Sequence, residues 1–464
     1  MTDSLYQKIS FLQGEINTQG GIGKGLTAKL LSGIDLDKIK EYLIAGKTIS
    51  LGLPELLGKD KQTTYLVLFQ NNMELRPTGG FIGSFALVTF NGGRLTDISV
   101  SDVYSADGQL RGHVEPPIPI KNYLGEANWY LRDANWDPDF PTSAAKIEWF
   151  LNKEIDKTVE GVVAIDLDFV KALLKETGPI NLPDFNQLIS EQNLYETTQS
   201  QVENNFFPGS YQKTNFMTAL SREVLTRATS LKGNEYLGIS KAILLSLEKK
   251  HIQIFLHNNN IQGAVANLGW DGEVRPITCS NNCFPDWFGI VEANVGVNKA
   301  NYYLKRQFSL SVSLTDKVVQ KTLSVNYQNS ANPSLGTSGI YKVFLRLLIP
   351  SEAEVVSARL VSGEATEEVP FKLGGFYFEI SPGQNKTLVL NWQEKAGYNF
   401  GQAGEYRLFW RKQAGTLEDS TNIKFSLPQG INVQTQPEFS LTPDGGFGYN
   451  TILSQDFGLR ILWK

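Results

Sequence analysis

The strongest constraint on this chain is a change of hydrophobic period near residue 288. From residue 62 to about 270, short apolar runs rich in β-branched residues alternate with helical patterns. Beyond 288 helical periodicity stops, and short runs of alternating polarity follow one another. Helices and strands repeat their faces with different periods, so the two regions must build different layers. A chain of 464 residues also exceeds one ordinary core. We therefore expect a helical segment over 1–58, an α/β domain over 59–287 and a β-sandwich over 288–464.

The first segment carries an apolar stripe of Leu5, Ile9, Leu12 and Ile16, at helical spacing. "GGIGKGLT" is not a phosphate loop: no strand precedes it, and Gly25 follows Lys24. In the second region "TYLVLFQNN" reads as a buried strand. "FIGSFALVTFNGGRLTDISVSDVY" reads as a hairpin turning at Asn91-Gly92-Gly93. "SAAKIEWFLNKE" predicts a helix capped by Thr142 or Ser143. "VEGVVAID" predicts a strand, and "LDFVKALLKETG" a helix stopped at Gly178. Helices are expected near 187–203, 214–231 and 235–249, with a strand in "KHIQIFLHN". This alternation predicts an α/β sandwich, helices over a mixed sheet. In the third region runs such as "YYLKRQFSLSVSL" and "KTLVLNWQE", separated by "GTSG", "SPGQN" and "TPDGG", predict an all-β sandwich.

Several function classes are excluded by composition. A net charge of −5 without a lysine or arginine run argues against nucleic acid. No stretch of about 18 apolar residues is present, so the sequence holds no transmembrane helix. Its first residues lack a secretory pattern. The protein is then either cytosolic or preceded by an anchor outside this sequence. Cys279 and Cys283 in "CSNNCFPDW" suit a small disulfide loop of an oxidising compartment; two free thiols are the alternative.

Three polar clusters in the α/β region could carry chemistry. The first is Glu74, Arg76, Gly79 and Gly80. The second is Asp102, Tyr104 and Asp107. The third is Arg132, Asp133, Asn135, Asp137 and Asp139, with Trp136 among them. Arginine grips two phosphate oxygens with its planar fork. Paired glycines let backbone N–H groups approach a ligand, and nearby carboxylates can hold a cation that bridges phosphates. Each feature also has a plain structural use as ion pair, turn or helix start. "DANWDPDFP" is not an EF-hand, because Pro138 stands where glycine is needed and Ala144 where glutamate is needed. No Ser-His-Asp or Cys-His pattern is visible, and His251 and His257, which flank a strand pattern, are expected to be structural. Trp129, Trp136 and Trp149 suit either sugar stacking or core packing.

"NNMELRPTGGFIGSF", "DVYSADG", "RDANWDPDFPTSAAKIEWF" and "VEGVVAIDLDFVKALLKETGPINLP" resemble the bacterial domain-of-unknown-function family 4012; "GWDGEV" and "IVEANVGVNKANYYLKRQ" extend the likeness toward residue 306. Members of that family usually follow an N-terminal membrane anchor, which implies an extracytoplasmic, cell-surface place. More distantly, the order of elements is similar to the LytR–CpsA–Psr family, which moves glycopolymers from polyprenyl-pyrophosphate carriers. That family's Arg-Ser-Asp-Thr reads Arg76-Pro77-Thr78-Gly79 here, and its Arg-Asp reads Ser101-Asp102. Lys213, Arg222 and Arg227 are weak substitutes for its later arginines.

The resemblance implies Arg76, Asp102, Arg132 and Asp133 as catalytic groups. Glu74, Gly79, Gly80, Tyr104, Asn135 and Trp136 would line the ligand, and Mg²⁺ would sit on Asp102, Asp133 and Asp137. The expected partner is a lipid-linked glycan or cell-wall polymer. The alternative is a non-catalytic surface protein that binds or scaffolds through its β-sandwich.

Overall fold

The computed structural model describes residues 2–18, 36–203, 211–233, 235–279, 282–443 and 445–464. Among the described residues two helices lead the chain, α1 (Thr2–Thr18) and α2 (Leu36–Leu56). Of the expected stripe, Leu5 is exposed, and the side chains of Leu12 and Ile16 lie outside the described residues, as does all of "GGIGKGLT" with Lys24. Helix α2 does pack on the domain that follows. Its Ile49 and Leu56 join Leu256, Ile261 and Val265, and its Tyr42 stacks on Trp270.

The α/β domain is built on β1 (Thr63–Asn71), β2 (Phe81–Asn91), β3 (Arg94–Asp102), β4 (Gly161–Asp166) and β7 (Ile252–Leu256). They lie in the order β3-β2-β1-β4-β7. β1 runs parallel to β4 and antiparallel to β2, so the sheet is mixed. Alternation along β1 sends Leu66 and Leu68 to one face and Phe69 to the other. The first face is covered by α3 (Val103–Asp107) and α4 (Phe140–Ile155), through Phe140, Ile147, Phe150 and Leu151. The second is covered by α5 (Leu167–Thr177), α7 (Tyr211–Thr229) and α8 (Glu235–Glu248), through Val170, Leu174, Phe216, Leu220 and Ile239. Helices on both faces make this an α/β sandwich.

Local chemistry explains most boundaries. Gly92 and Gly93 turn the β2–β3 hairpin with φ of 59° and 79°, a type that favours glycine at both positions. Helix α5 starts on Asp166, whose side chain accepts from the N–H groups of Asp168 and Phe169, and stops at Gly178. Helix α4 departs from expectation: Asp139 caps it, accepting from Thr142 N–H, while Ser143 Oγ donates to the Asp137 carbonyl. The expected 187–203 helix is also shorter. β5 (Ile180–Leu182) and β6 (Gln187–Ile189) form a hairpin, because Asn186 turns the chain back with φ 49°. Helix α6 covers Leu194–Glu203. Helix α9 (Asn259–Asn267), capped by Asn258, has no counterpart in the sequence reading.

The C-terminal region is a two-sheet β-sandwich of eight and seven strands among the described residues. Strand Cys283–Asn294 lies centrally in one sheet. It runs antiparallel to Tyr341–Leu348 and parallel to Gly404–Arg411, more than a hundred residues away. Trp392, Trp410 and Trp463 anchor the core between the sheets. The core also holds charge. Lys321 is paired with Asp286 at 2.7 Å and with Glu394, and Tyr406 donates to Asp286. Nearby, Glu292 accepts from Tyr327 and Tyr341, each at 2.6 Å, and pairs with Arg306 at 3.0 Å. Removing one partner of such a group strands the others in low dielectric. Lys321→Met should therefore destabilise the chain by about 3–5 kcal/mol in urea unfolding; a change under about 1 kcal/mol would show that the two carboxylates do not depend on it.

Candidate functional site

Between β1 and β2 the chain makes a compact loop. Met73 N–H donates to Asn71 Oδ1 at 3.0 Å, Glu74 N–H to the Asn71 carbonyl at 3.1 Å and Phe81 N–H to the Glu74 carbonyl at 2.9 Å. This loop, residues 72–80, faces the β-sandwich. Asn294 N–H donates to the Leu75 carbonyl at 2.9 Å, and Leu75 N–H to Asn301 Oδ1 at 3.1 Å. Gln413 Nε2 donates to the Arg76 carbonyl at 3.3 Å, and Thr78 pairs with Ala414 as an isolated β-bridge. Gly79 has φ 133°, and a Cβ on Gly415 would stand 1.9 Å from the Gly79 carbonyl oxygen. Gly415 is thus needed for the two backbones to touch, and Gly79 for its positive φ, where a Cβ would meet Gln70 Oε1 at 2.3 Å.

Arg76 sits at the centre and is 2% exposed. Its Nε donates to Asp133 Oδ1 at 3.2 Å, Nη2 to Glu74 Oε1 at 3.2 Å and Nη1 to the Asn294 carbonyl at 2.6 Å. Its guanidinium lies over the Phe81 ring at 5.6 Å. Asp133 also faces Arg132, Oδ2 to Nε at 3.6 Å. Arg132 in turn pairs with Asp107 at 2.7 Å and Glu126 at 2.9 Å. It lies over Tyr130 at 4.4 Å and Tyr104 at 5.5 Å. The three polar clusters of the sequence therefore meet through Arg76–Asp133–Arg132–Asp107. Tyr104, 47% exposed, is on the outer side of this network.

The remaining candidates have structural partners. Asp102 caps α3, accepting from Ser105 N–H at 3.1 Å. Asp137 is exposed and accepts from Asp139 N–H at 2.9 Å. Asn135 donates to the Gly80 carbonyl at 2.8 Å. Trp136 stacks on Phe344 of the sandwich, with the Arg346 guanidinium over its ring at 5.1 Å. Trp129 donates to the Asp133 carbonyl and packs edge-on against Phe150, as does the half-exposed Trp149. Arg227 pairs with Glu235 at 2.8 Å, and the side chain of Lys213 lies outside the described residues. Cys279 and Cys283 are joined by a disulfide.

Sequence reasoning missed Glu154. It accepts from Leu131 N–H at 3.1 Å, and its second oxygen has no partner among the described residues. One oxygen of Asp107 is likewise unmatched. Burial raises the Asp107 carboxyl to about 7 against the pull of Arg132. Burial, reinforced by Asp107, raises Glu154 to about 8. A lone glutamate in an amphipathic helix gives no sequence signal for this.

Asp102, Asp133 and Asp137 are not gathered into a three-ligand group. The described residues hold one such group, Asp166, Asp168 and His251, whose ligand atoms lie within 4.8 Å of one another. His251 Nδ1 is 2.7 Å from Asp166 Oδ2. Asn72 Nδ2 donates to Asp168 Oδ2 at 2.6 Å and to the Gly415 carbonyl at 3.0 Å. Asn72 also helps wall a cleft of about 420 Å³ at the joint, lined beyond it by Asn301, Lys305, Gln307, Asn326 and Ser420. Two aspartates flanking a helix start, in "AIDLDF", were the available hint. Their histidine partner is 85 residues away.

Two predictions follow from this geometry. Arg76→Ala leaves Glu74 buried without its cation and Asp133 with only Arg132, at 3.6 Å. It should destabilise the chain by about 3–5 kcal/mol and make the loop at 72–80 sensitive to protease; unchanged unfolding would contradict the central place of Arg76. Asp107 and Glu154 keep protons in the folded chain that the unfolded chain releases near pH 4. The stability they contribute is complete below that and is lost as pH rises through about 7 to 8. Glu154→Gln, which cannot ionise, should flatten the fall of Tm between about pH 5 and 8; a parallel profile would assign the fall elsewhere.

No curated protein matches the chain. Residues 60–202 match the model of a family described as a protein of unknown function, DUF4012.

Proposed function

We propose that the protein is a non-catalytic cell-surface protein, in which an α/β domain and a β-sandwich are locked together to bind or scaffold envelope material. The observation that carries this reading is the closure around Arg76. Two carboxylates and a carbonyl of the sandwich take its guanidinium, and Phe81 and Asn294 fill the space beside it. A pyrophosphate would have to displace Glu74 and Asp133 and part the two domains. Electrostatic catalysis of phosphoryl transfer needs donors already aimed at open space. The expected transferase chemistry and its lipid-linked glycan would have to rest on Arg132 and Tyr104 at the outer side, and its Mg²⁺ would have to compete with Arg132 for Asp107 and Glu126.

The surface location is supported by the Cys279–Cys283 bond, since disulfides persist in oxidising compartments. No helix among the described residues is long and apolar enough to cross a membrane. The cleft at the joint offers amides, a hydroxyl and a lysine to a polar ligand such as a glycan segment.

The test is to incubate the chain with a polyprenyl pyrophosphate and Mg²⁺, following both binding and release of phosphorylated products. The expected result is neither saturable binding in the micromolar range nor turnover. Binding or turnover abolished by Arg132→Ala, with the fold intact, would replace this reading with the transferase.

A further inference from the structure

The Asp166–Asp168–His251 group shares no ion pair with the Arg76–Asp133–Arg132–Asp107 network. Its assembly follows from sheet register. Ile165 and Ile252 are the last partners of β4 and β7. The next residue of each strand, Asp166 and His251, therefore meets its counterpart, with Asp166 N–H donating to the His251 carbonyl at 3.2 Å. Asp168 is added by the first turn of α5, which Asp166 caps.

We propose that Asp166, Asp168 and His251 form a binding site for a divalent metal ion of the zinc class. The donor set is one imidazole nitrogen and two carboxylate oxygens, close enough for a single ion to reach all three. Zinc takes mixed nitrogen and oxygen ligands at low coordination number. Magnesium prefers six oxygens and calcium more, so this set suits neither. In the ion-bound form the metal takes the place of the proton between Asp166 Oδ2 and His251 Nδ1, and Asp168 turns one oxygen to it.

Two observations beyond the cluster point to a cation. The first is charge. Two carboxylates share one histidine, which pairs with Asp166, and Asp168 forms no ion pair with lysine or arginine among the described residues. The ammonium of Lys412, which both aspartates feel, donates instead to the carbonyls of Lys249, Gln413 and Thr416. The second is Asn72. Its carboxamide is pressed against Asp168, the residue is 2% exposed, and its Oδ1 has no partner among the described residues. A buried amide oxygen without a partner is costly. The Nδ2 end faces Asp168; a half-turn of the amide would bring Oδ1 to that side as a fourth oxygen donor for the same ion.

The site would tie β4, α5 and β7 together at the point where Asn72 reaches Gly415 of the sandwich. A bound ion should therefore stiffen the joint as well as the α/β core.

The experiment uses the full chain, stripped with a chelator and titrated with Zn²⁺ by calorimetry, with Mg²⁺ in parallel. Wild type should bind one Zn²⁺ with micromolar or tighter affinity and gain Tm, whereas Mg²⁺ should do neither. Asp168→Asn keeps the shape of a half-exposed side chain and should weaken binding by about tenfold or more. His251→Ala should abolish binding and the gain in Tm. X-ray absorption of the zinc complex should report one imidazole among oxygen donors. A folded wild type that takes up no stoichiometric Zn²⁺ overturns the proposal. So does binding unchanged in a folded Asp168→Asn chain, which would locate the ion elsewhere, for instance at His113 with Glu115 or His257 with Glu148.

Discussion

A guanidinium withdrawn from water must have its donors met, and Arg76 meets this demand from three directions. Glu74 comes from its own loop, Asp133 from the segment before α4, and the Asn294 carbonyl from the β-sandwich. No one of these partners is sufficient, because a single buried pair rarely offsets the loss of hydration. The loop, the helix start and the sandwich strand are therefore held in one arrangement by one side chain. Around it the backbone contacts of Thr78 with Ala414 and Gly79 with Gly415 become possible.

The sandwich uses the same principle twice. Glu292 gathers Tyr327, Tyr341 and Arg306, and Lys321 gathers Asp286 and Glu394. Apolar packing around Trp392, Trp410 and Trp463 tolerates many near-equivalent arrangements. A buried charge with fixed partners tolerates few, so these groups set which strand faces which. Gln413 connects the two systems, donating to the Arg76 and Glu292 carbonyls and accepting from Glu292 N–H.

What was legible in the sequence was local. The Gly92-Gly93 turn, the stop of α5 at Gly178, and the switch of period before the sandwich all depend on neighbours within a few residues. The stretch Glu74 to Gly80 was marked as unusual, and Arg76, Arg132, Asp133 and Asp107 do converge. The sequence could not say that the outer wall of that convergence is the sandwich, since Asn294 and Gln413 lie more than two hundred residues on. Read without that wall, an arginine beside glycines suggests an open anion site. Covered by it, the same residues make a joint. His251 was missed as a ligand candidate for the same reason, its partner Asp166 being brought near only by strand pairing. The hairpin of β5 and β6 was missed because Asn186 adopts a left-handed turn that Gly or Asn-Gly would have announced more plainly.

The parallel pairing of Cys283–Asn294 with Gly404–Arg411 imposes an order on folding. A central strand cannot complete its sheet until a partner more than a hundred residues later has been synthesised, and such distant pairings form slowly. The α/β domain emerges from the ribosome first, with its strands and caps already present. Throughout that interval the loop at 72–80 has Asn294 and Asn301 within the chain already made, but not Gln413, Ala414 or Gly415. Only with residues 411–416 does the joint close. A chain truncated before them would present to solvent a polar face made to be covered.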